Sequence, residues 1–134
     1  MKTKQIFYFL FTFTIAAIVS SCNKPGTGGD ATLVVFPQHH GKTIKNHVDW
    51  PDTVFLKFNA KELPGLRASD YDTYFIGKVG EDRIHCTGLK SGQYFIFAVG
   101  IDSAGPYRVA GGISYKIKHK DRKEETDVNI AVTE

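Results

Sequence analysis

The sequence predicts an all-β fold, a seven-stranded antiparallel β-sandwich that occupies residues 31–134. Three observations support this prediction. Short segments alternate apolar and polar residues with a period of two, turns rich in Gly, Pro and Asp separate them, and no segment keeps the period of a helix. Seven short strands at this spacing are typical of two antiparallel sheets packed face to face.

The candidate strands differ in how their apolar residues are distributed. Residues 53–59 and 125–132 alternate, which predicts one buried and one exposed face. Residues 94–99 are apolar on both faces, which is typical of a central strand. Gly111 and Gly112 interrupt the sixth strand and indicate a bulge or the close approach of another backbone. The seven predicted strands comprise residues 33–36, 53–59, 71–79, 83–87, 94–99, 107–118 and 125–132.

The N-terminal segment has positively charged, apolar and small residues in the order that is typical of a secretory signal. Lys2 and Lys4 precede an uncharged, mostly apolar run over residues 6–19. This run is shorter than the roughly 20 residues that a membrane-spanning helix needs, so it is read as the apolar region of a signal peptide. It ends in the string VSSC (19–22), which resembles the lipobox of bacterial lipoproteins. The resemblance implies cleavage before Cys22 and attachment of lipid to it.

This reading divides the chain into three parts. Residues 1–21 are predicted to be the lipoprotein signal peptide, 22–30 the lipidated cysteine with a flexible tether rich in Gly, and 31–134 the sandwich. An uncleaved signal anchor is the alternative. Asn23 follows the cysteine in place of the Asp that resembles an inner-membrane retention signal. An outer-membrane position is therefore expected. Because the tether lacks an acidic cluster close behind the cysteine, a position facing the periplasm is favoured over the cell surface.

Processing also changes the charge and the cysteine chemistry. Removal of residues 1–21 takes away two lysines, so the formal charge falls from +3 to +1, and no nucleic-acid partner is expected. Acylation of Cys22 leaves Cys86 without a partner for an internal disulfide. Cys86 alternates with Ile84 and is predicted to lie in the core. Neighbouring residues of a strand point to opposite faces, so His85 cannot activate this thiol.

The string GLKSGQY (88–94) combines a leucine able to fill the core, a turn closed by glycine and a tyrosine that opens an apolar strand. It resembles the carboxypeptidase regulatory-like domains, also called transthyretin-like or prealbumin-like sandwiches. The resemblance implies an accessory domain that binds partners or glycans. The hydroxyisourate hydrolase of the transthyretin-like group ends in Tyr-Arg-Gly-Ser, whereas this chain ends in IAVTE (130–134). No enzymatic activity and no cofactor are therefore expected.

One candidate site is a metal centre at three histidines. His39, His40 and His47 lie in the segment between the first two predicted strands, with Asp49 and Asp52 just beyond. Imidazole and carboxylate groups are ligands for zinc and copper. However, the spacing matches no known zinc finger, and adjacent side chains on an extended backbone rarely reach one ion. Solvated histidines in a polar loop are the alternative.

A second candidate site is a partner-binding surface. Trp50 lies in a loop, and Phe95 and Phe97 share the face of a strand opposite Tyr94 and Ile96; one of the two faces fills the core, and the other must be covered by a loop, by Trp50 or by a partner. Aromatic side chains of this kind stack on sugars or anchor protein interfaces, but they also cover an open end of a core. The leading functional hypothesis is a membrane-anchored, non-enzymatic envelope lipoprotein that binds an envelope protein or glycan or supports an assembly. The alternative is a zinc- or copper-binding lipoprotein that uses His39, His40 and His47.

Overall fold

Eight strands form two sheets in the computed structural model, which describes residues 24–134. The strands are β1 (Thr27–His39), β2 (Lys42–Thr43), β3 (Thr53–Phe58), β4 (Thr73–Ile76), β5 (Ile84–Leu89), β6 (Gly92–Asp102), β7 (Tyr107–Ile117) and β8 (Glu125–Ala131). In the first sheet β1 pairs antiparallel with β2 and β5 and parallel with β8. The second sheet is antiparallel throughout, in the order β4-β3-β6-β7. The prediction of an all-β fold is confirmed.

The period-two pattern decides which side chains enter the core. On β3 the fully buried residues are Val54 and Leu56, and on β6 they are Tyr94, Ile96 and Ala98. These side chains form one hydrophobic cluster with residues of β1, β5, β7 and β8. The two sheets therefore enclose a single apolar core.

The structure adds one strand to the seven that the sequence predicts. β2 has two residues and pairs with the end of β1 through Gln38 and His39, so it forms a short hairpin within the predicted loop. The other seven strands overlap the predicted segments. The signal peptide and Cys22 lie outside the described residues. Within residues 24–134, no helix has the length and apolar character needed to cross a bilayer.

The flexible tether predicted for residues 22–30 is wrong from Pro25 onward. Pro25 and Gly26 are buried, and Thr27 already pairs with Leu89 of β5. The N–H of Gly26 donates to the hydroxyl oxygen of Tyr94, with a distance of 2.9 Å. The Gly-rich composition suggested mobility, but hydrogen bonds to the folded domain hold this segment as the first part of β1.

Gly111 of β7 lies where the end of β8 and the chain after it pass close to β7. A Cβ atom at Gly111 would overlap the backbone carbonyl of Ala131. Directly beside it, Ala110 and Thr133 exchange two backbone hydrogen bonds with N–O distances of 2.8 and 3.0 Å. The close backbone approach predicted at this position is therefore present, and it fixes the path of the chain toward Glu134.

Candidate functional site

His39 is the last residue of β1, and its buried ring is held by a carboxylate. Its Nδ1 lies 2.6 Å from Oδ2 of Asp102 at the end of β6. The hydrogen bond from His39 holds the pKa of Asp102 below its usual value, and the Ala104 N–H bonds the other carboxylate oxygen. An ionised carboxylate only accepts hydrogen bonds, so Nδ1 carries the proton and donates it. In the neutral ring, Nε2 is then the nitrogen with a lone pair.

His40 follows in a tight turn that brings its ring beside that of His39. His40 and Gly41 have φ angles of +50° and +74°, and they form the two-residue connection between the paired residues His39 and Lys42. Positive φ at both positions is the geometry of a type I′ hairpin turn. The ring centroids of the two histidines are 4.0 Å apart. The expectation that adjacent histidines point apart is wrong, since it assumed an extended backbone at His40.

Glu134 joins the two histidines from the other end of the chain. β8 runs parallel beside β1, and the N–H of Val132 donates to the carbonyl of Gln38 at 2.9 Å. One possible ligand atom from each of His39, His40 and Glu134 lies within 4.8 Å of the other two. Sequence reasoning missed Glu134 because nothing near it in the chain marks it. Only the parallel β1–β8 pairing brings it close.

His47, the third histidine of the predicted metal site, is not part of this cluster. It lies near Asp52, a residue that is 1% exposed and whose carboxylate oxygens meet no donor at full hydrogen-bonding geometry among residues 24–134. Burial raises the pKa of Asp52 to about 6, although the Ile101 N–H and the charge of His47 act in the opposite direction. Asp52 therefore carries a proton up to a pH at which ordinary aspartates have lost theirs.

The outer face of the second sheet is aromatic, and a loop partly covers it. Phe95 and Phe97 share this face, opposite the core side chains of Tyr94 and Ile96, but only 7% and 5% of their surfaces are exposed. Tyr71, in the segment between β3 and β4, stacks on Phe97 with ring centroids 5.6 Å apart and an interplanar angle of 12°. The Tyr71 hydroxyl donates to the carbonyl of Gly65 at 2.8 Å, which holds this loop in place.

Beside this loop an apolar groove of about 630 Å³ remains open. We define the apolar groove by Leu63 and Leu66 of the loop and Phe95, Phe97 and Val99 of β6. Leu66 is 72% exposed, so the groove presents apolar surface directly to solvent.

The lining of the apolar groove also includes three polar residues, Arg108, Thr133 and Glu134. Glu134 thus connects the groove with the histidine cluster. Trp50 is half exposed on a different loop and does not line the groove. The structure thus brings together two of the three predicted partner-binding residues.

Cys86 shows no feature of a reactive thiol. Its side chain is fully buried, and this burial raises the pKa of the thiol. His85 is exposed and lies next to it on β5, where alternate residues face opposite sides. Cys86 is therefore a core residue, as its alternation with Ile84 predicts.

Comparisons of this chain with protein-family models, with curated proteins and with solved structures find no match. The chemistry that the described residues offer is concentrated in two adjoining features. One is the cluster of His39, His40 and Glu134 with Asp102 behind it. The other is the apolar groove on the outer face of the second sheet.

Proposed function

We propose that this protein is a lipid-anchored lipoprotein of the bacterial envelope whose β-sandwich binds a partner and performs no catalysis. The order of charge, apolar run, small residues and cysteine over residues 1–22 supports the anchor. The apolar groove is the single observation that carries the binding role. We propose a position in the outer membrane, which Asn23 supports, facing the periplasm, which the lack of an acidic cluster close behind Cys22 supports.

The lining of the apolar groove favours a protein partner over a glycan. Its size lies within the roughly 300–1,000 Å³ of small-ligand pockets, and Leu63 and Leu66 are both largely exposed. A sugar ring needs an open aromatic face and several hydrogen-bonding groups. Tyr71 already covers one face of Phe97. The partner is therefore an envelope protein that inserts apolar side chains between the loop and β7.

We also propose that the domain is of the carboxypeptidase regulatory-like, transthyretin-like kind. The GLKSGQY string (88–94) supports this assignment, because Leu89 fills the core and Tyr94 is a buried residue near the start of β6. Seven strands have four or more residues, and the two-residue β2 is the addition. Domains of this kind are mostly accessory, which agrees with a binding role.

Replacing Cys22 by serine tests the anchor. The serine hydroxyl cannot take the place of the thiol in lipidation, so we expect the Cys22→Ser protein to appear in the soluble fraction. The unmodified chain should sediment with membranes and show the added mass of acyl chains in mass spectrometry. Cys86→Ser is the matched control, because it removes a thiol from the same chain and should leave the protein in the membrane fraction. Equal sedimentation of the Cys22→Ser protein and the unmodified chain would contradict the lipid anchor.

Replacing Leu66 by glutamate tests the apolar groove as the binding surface. Leu66 is 72% exposed, so the charge should not disturb folding, but it would have to be buried unpaired when a partner binds. We expect crosslinking to the partner in cells, followed by mass spectrometry, to fall at least about tenfold, since an unpaired buried charge costs several kcal/mol.

Val79→Glu is the control, because Val79 is 56% exposed and does not line the groove. Circular dichroism should show that both variants are folded. Crosslinks that survive Leu66→Glu but disappear in Val79→Glu would place the interface elsewhere. Phe97→Glu is a poorer test, since its carboxylate would be buried under Tyr71 and would unfold the domain.

A further inference from the structure

We propose that His39, His40 and Glu134 bind a zinc ion, and that Asp102 positions the His39 ligand. The zinc proposal does not rest on partner binding in the apolar groove, although Glu134 lies at both sites. Two imidazole nitrogens and one carboxylate oxygen are the donor set of open zinc sites, in which the fourth position is left for water or another ligand.

The cluster is compact enough to hold one ion once its exposed side chains rotate. Ligand atoms around a tetrahedral zinc lie about 3.3 Å apart, given metal–ligand distances of about 2.0–2.1 Å. In the structure one ring nitrogen of each histidine and one carboxylate oxygen of Glu134 lie within 4.8 Å of one another. His40 and Glu134 are exposed, so their side chains can close the remaining gap, while His39 is buried and already fixed.

The hydrogen bond between His39 and Asp102 is the second observation that points to a metal. Ligating histidines usually donate their other ring N–H to a carboxylate, which fixes the tautomer and strengthens the ligand. Nδ1 of His39 makes this bond at 2.6 Å, so Nε2 is left as the ligating nitrogen. The Ala104 N–H holds Asp102 at 2.9 Å in turn.

The backbone of His40 is a third observation. A type I′ turn favours Asn or Gly at its first central position, and a larger residue in the left-handed region costs of order 1 kcal/mol or more. His40 occupies this position with a φ of +50°. The result is that its ring lies beside that of His39, so the strained residue is the one that completes the ligand pair.

Access and charge also fit a cation. Open cavities of about 400 and 530 Å³ adjoin the histidines on two sides, so an ion and a further ligand can enter. Lys42 and Lys45 line the first cavity and oppose a positive ion. The carboxylates of Asp102 and Glu134 offset them, and both lysines are exposed to water, which screens their charge.

The test is a zinc titration of the full-length protein purified from membranes in detergent. Isothermal titration calorimetry with zinc chloride should show one ion per chain and micromolar or tighter affinity. His40→Asn removes a ligand but keeps a residue that accepts the turn, and Glu134→Gln removes the carboxylate without changing its size. We expect each variant to weaken zinc binding at least about tenfold, because each one removes a group that is bonded directly to the ion.

Histidines outside the cluster are the matched controls. His47→Asn and His85→Asn should bind zinc like the unmodified protein. Failure of the unmodified protein to bind zinc, or equal binding by the double variant His40→Asn/Glu134→Gln, would overturn the proposal. Loss of binding in His47→Asn would also overturn it, because the ligand set would then be a different one.

Testing whether Asp102 positions the His39 ligand requires a measurement that a purely structural role of Asp102 would leave unchanged. Asp102→Asn should weaken zinc binding about 10- to 100-fold and alter the visible absorption of bound Co²⁺, which reports the coordination geometry. The melting temperature of the metal-free variant should stay near that of the unmodified protein. An unchanged Co²⁺ spectrum and affinity would remove Asp102 from the site.

Discussion

Gly111→Ala is expected to lower the free energy of unfolding by about 3 kcal/mol, because the added methyl group has no space. Its Cβ would overlap the carbonyl oxygen of Ala131, which is backbone and cannot rotate away. Moving that backbone would break the hydrogen bonds between Ala110 and Thr133. A domain of this size should lose about 10 °C in melting temperature.

The same substitution should also disturb the zinc site. Thr133 precedes Glu134, so any displacement of the chain from β7 moves the carboxylate away from His39 and His40. Urea unfolding and zinc titration therefore measure two consequences of one clash.

Gly26→Ala is the control for the clash at Gly111, because a Cβ there meets no atom within 4 Å. It should change stability by well under about 1 kcal/mol. Equal effects at Gly26 and Gly111 would contradict the role of the close backbone approach.

Asp52→Asn is expected to stabilise the protein by about 2 kcal/mol at pH 7 and to have little effect at pH 4. The pKa of Asp52 in the folded state is about 6, whereas an ordinary aspartate has 3.8. Between these values the folded state binds a proton that the unfolded chain has lost. The stability that this proton contributes is fully present below about pH 4 and is lost as the pH rises through 6.

The reason for the stabilisation is the buried and unpartnered charge. Among the described residues neither oxygen of Asp52 has a well-formed hydrogen bond, the Ile101 N–H offsets only part of the cost of burial, and the surrounding groups include the Ile44 side chain and the Gly100 backbone. Asparagine keeps the shape and removes the charge that must be buried at neutral pH. The charge of His47, near the carboxylate, acts against this effect.

The measurement is urea unfolding of both proteins from pH 4 to pH 8. Asp49→Asn is the matched control, because Asp49 is an exposed carboxylate in the same segment and should leave the pH profile unchanged. If Asp52→Asn instead destabilised the protein at pH 7, the carboxylate would have a partner in solution, and its buried charge would not be the source of the pH dependence.

The sequence by itself determined the fold class and most of the strands. Alternation places Val54 and Leu56 in the core, and it places Phe95 and Phe97 on the opposite face from Tyr94 and Ile96, because side chains of a strand point to alternate sides. The two glycines of β7 also predicted a close approach correctly. These features depend on the order of apolar residues, polar residues and glycines within short segments, which a single sequence contains.

The N-terminal boundary was wrong for a physical reason. A Gly- and Pro-rich segment is mobile when nothing holds it, and composition carries no information on distant partners. Gly26 bonds the hydroxyl of Tyr94, 68 residues away, and Thr27 pairs with Leu89. Long-range hydrogen bonds of this kind decide where a strand begins.

Only the tertiary structure decided the composition of the candidate sites. The histidines at 39 and 40 were evident from the sequence, but the turn at His40 brings their rings together, and the parallel pairing of β1 with β8 adds Glu134. The groove likewise depends on how the loop that carries Leu66 and Tyr71 folds over β6. The period of a strand is set by adjacent residues, whereas a site is set by sheet pairing and backbone turns between residues far apart in the chain.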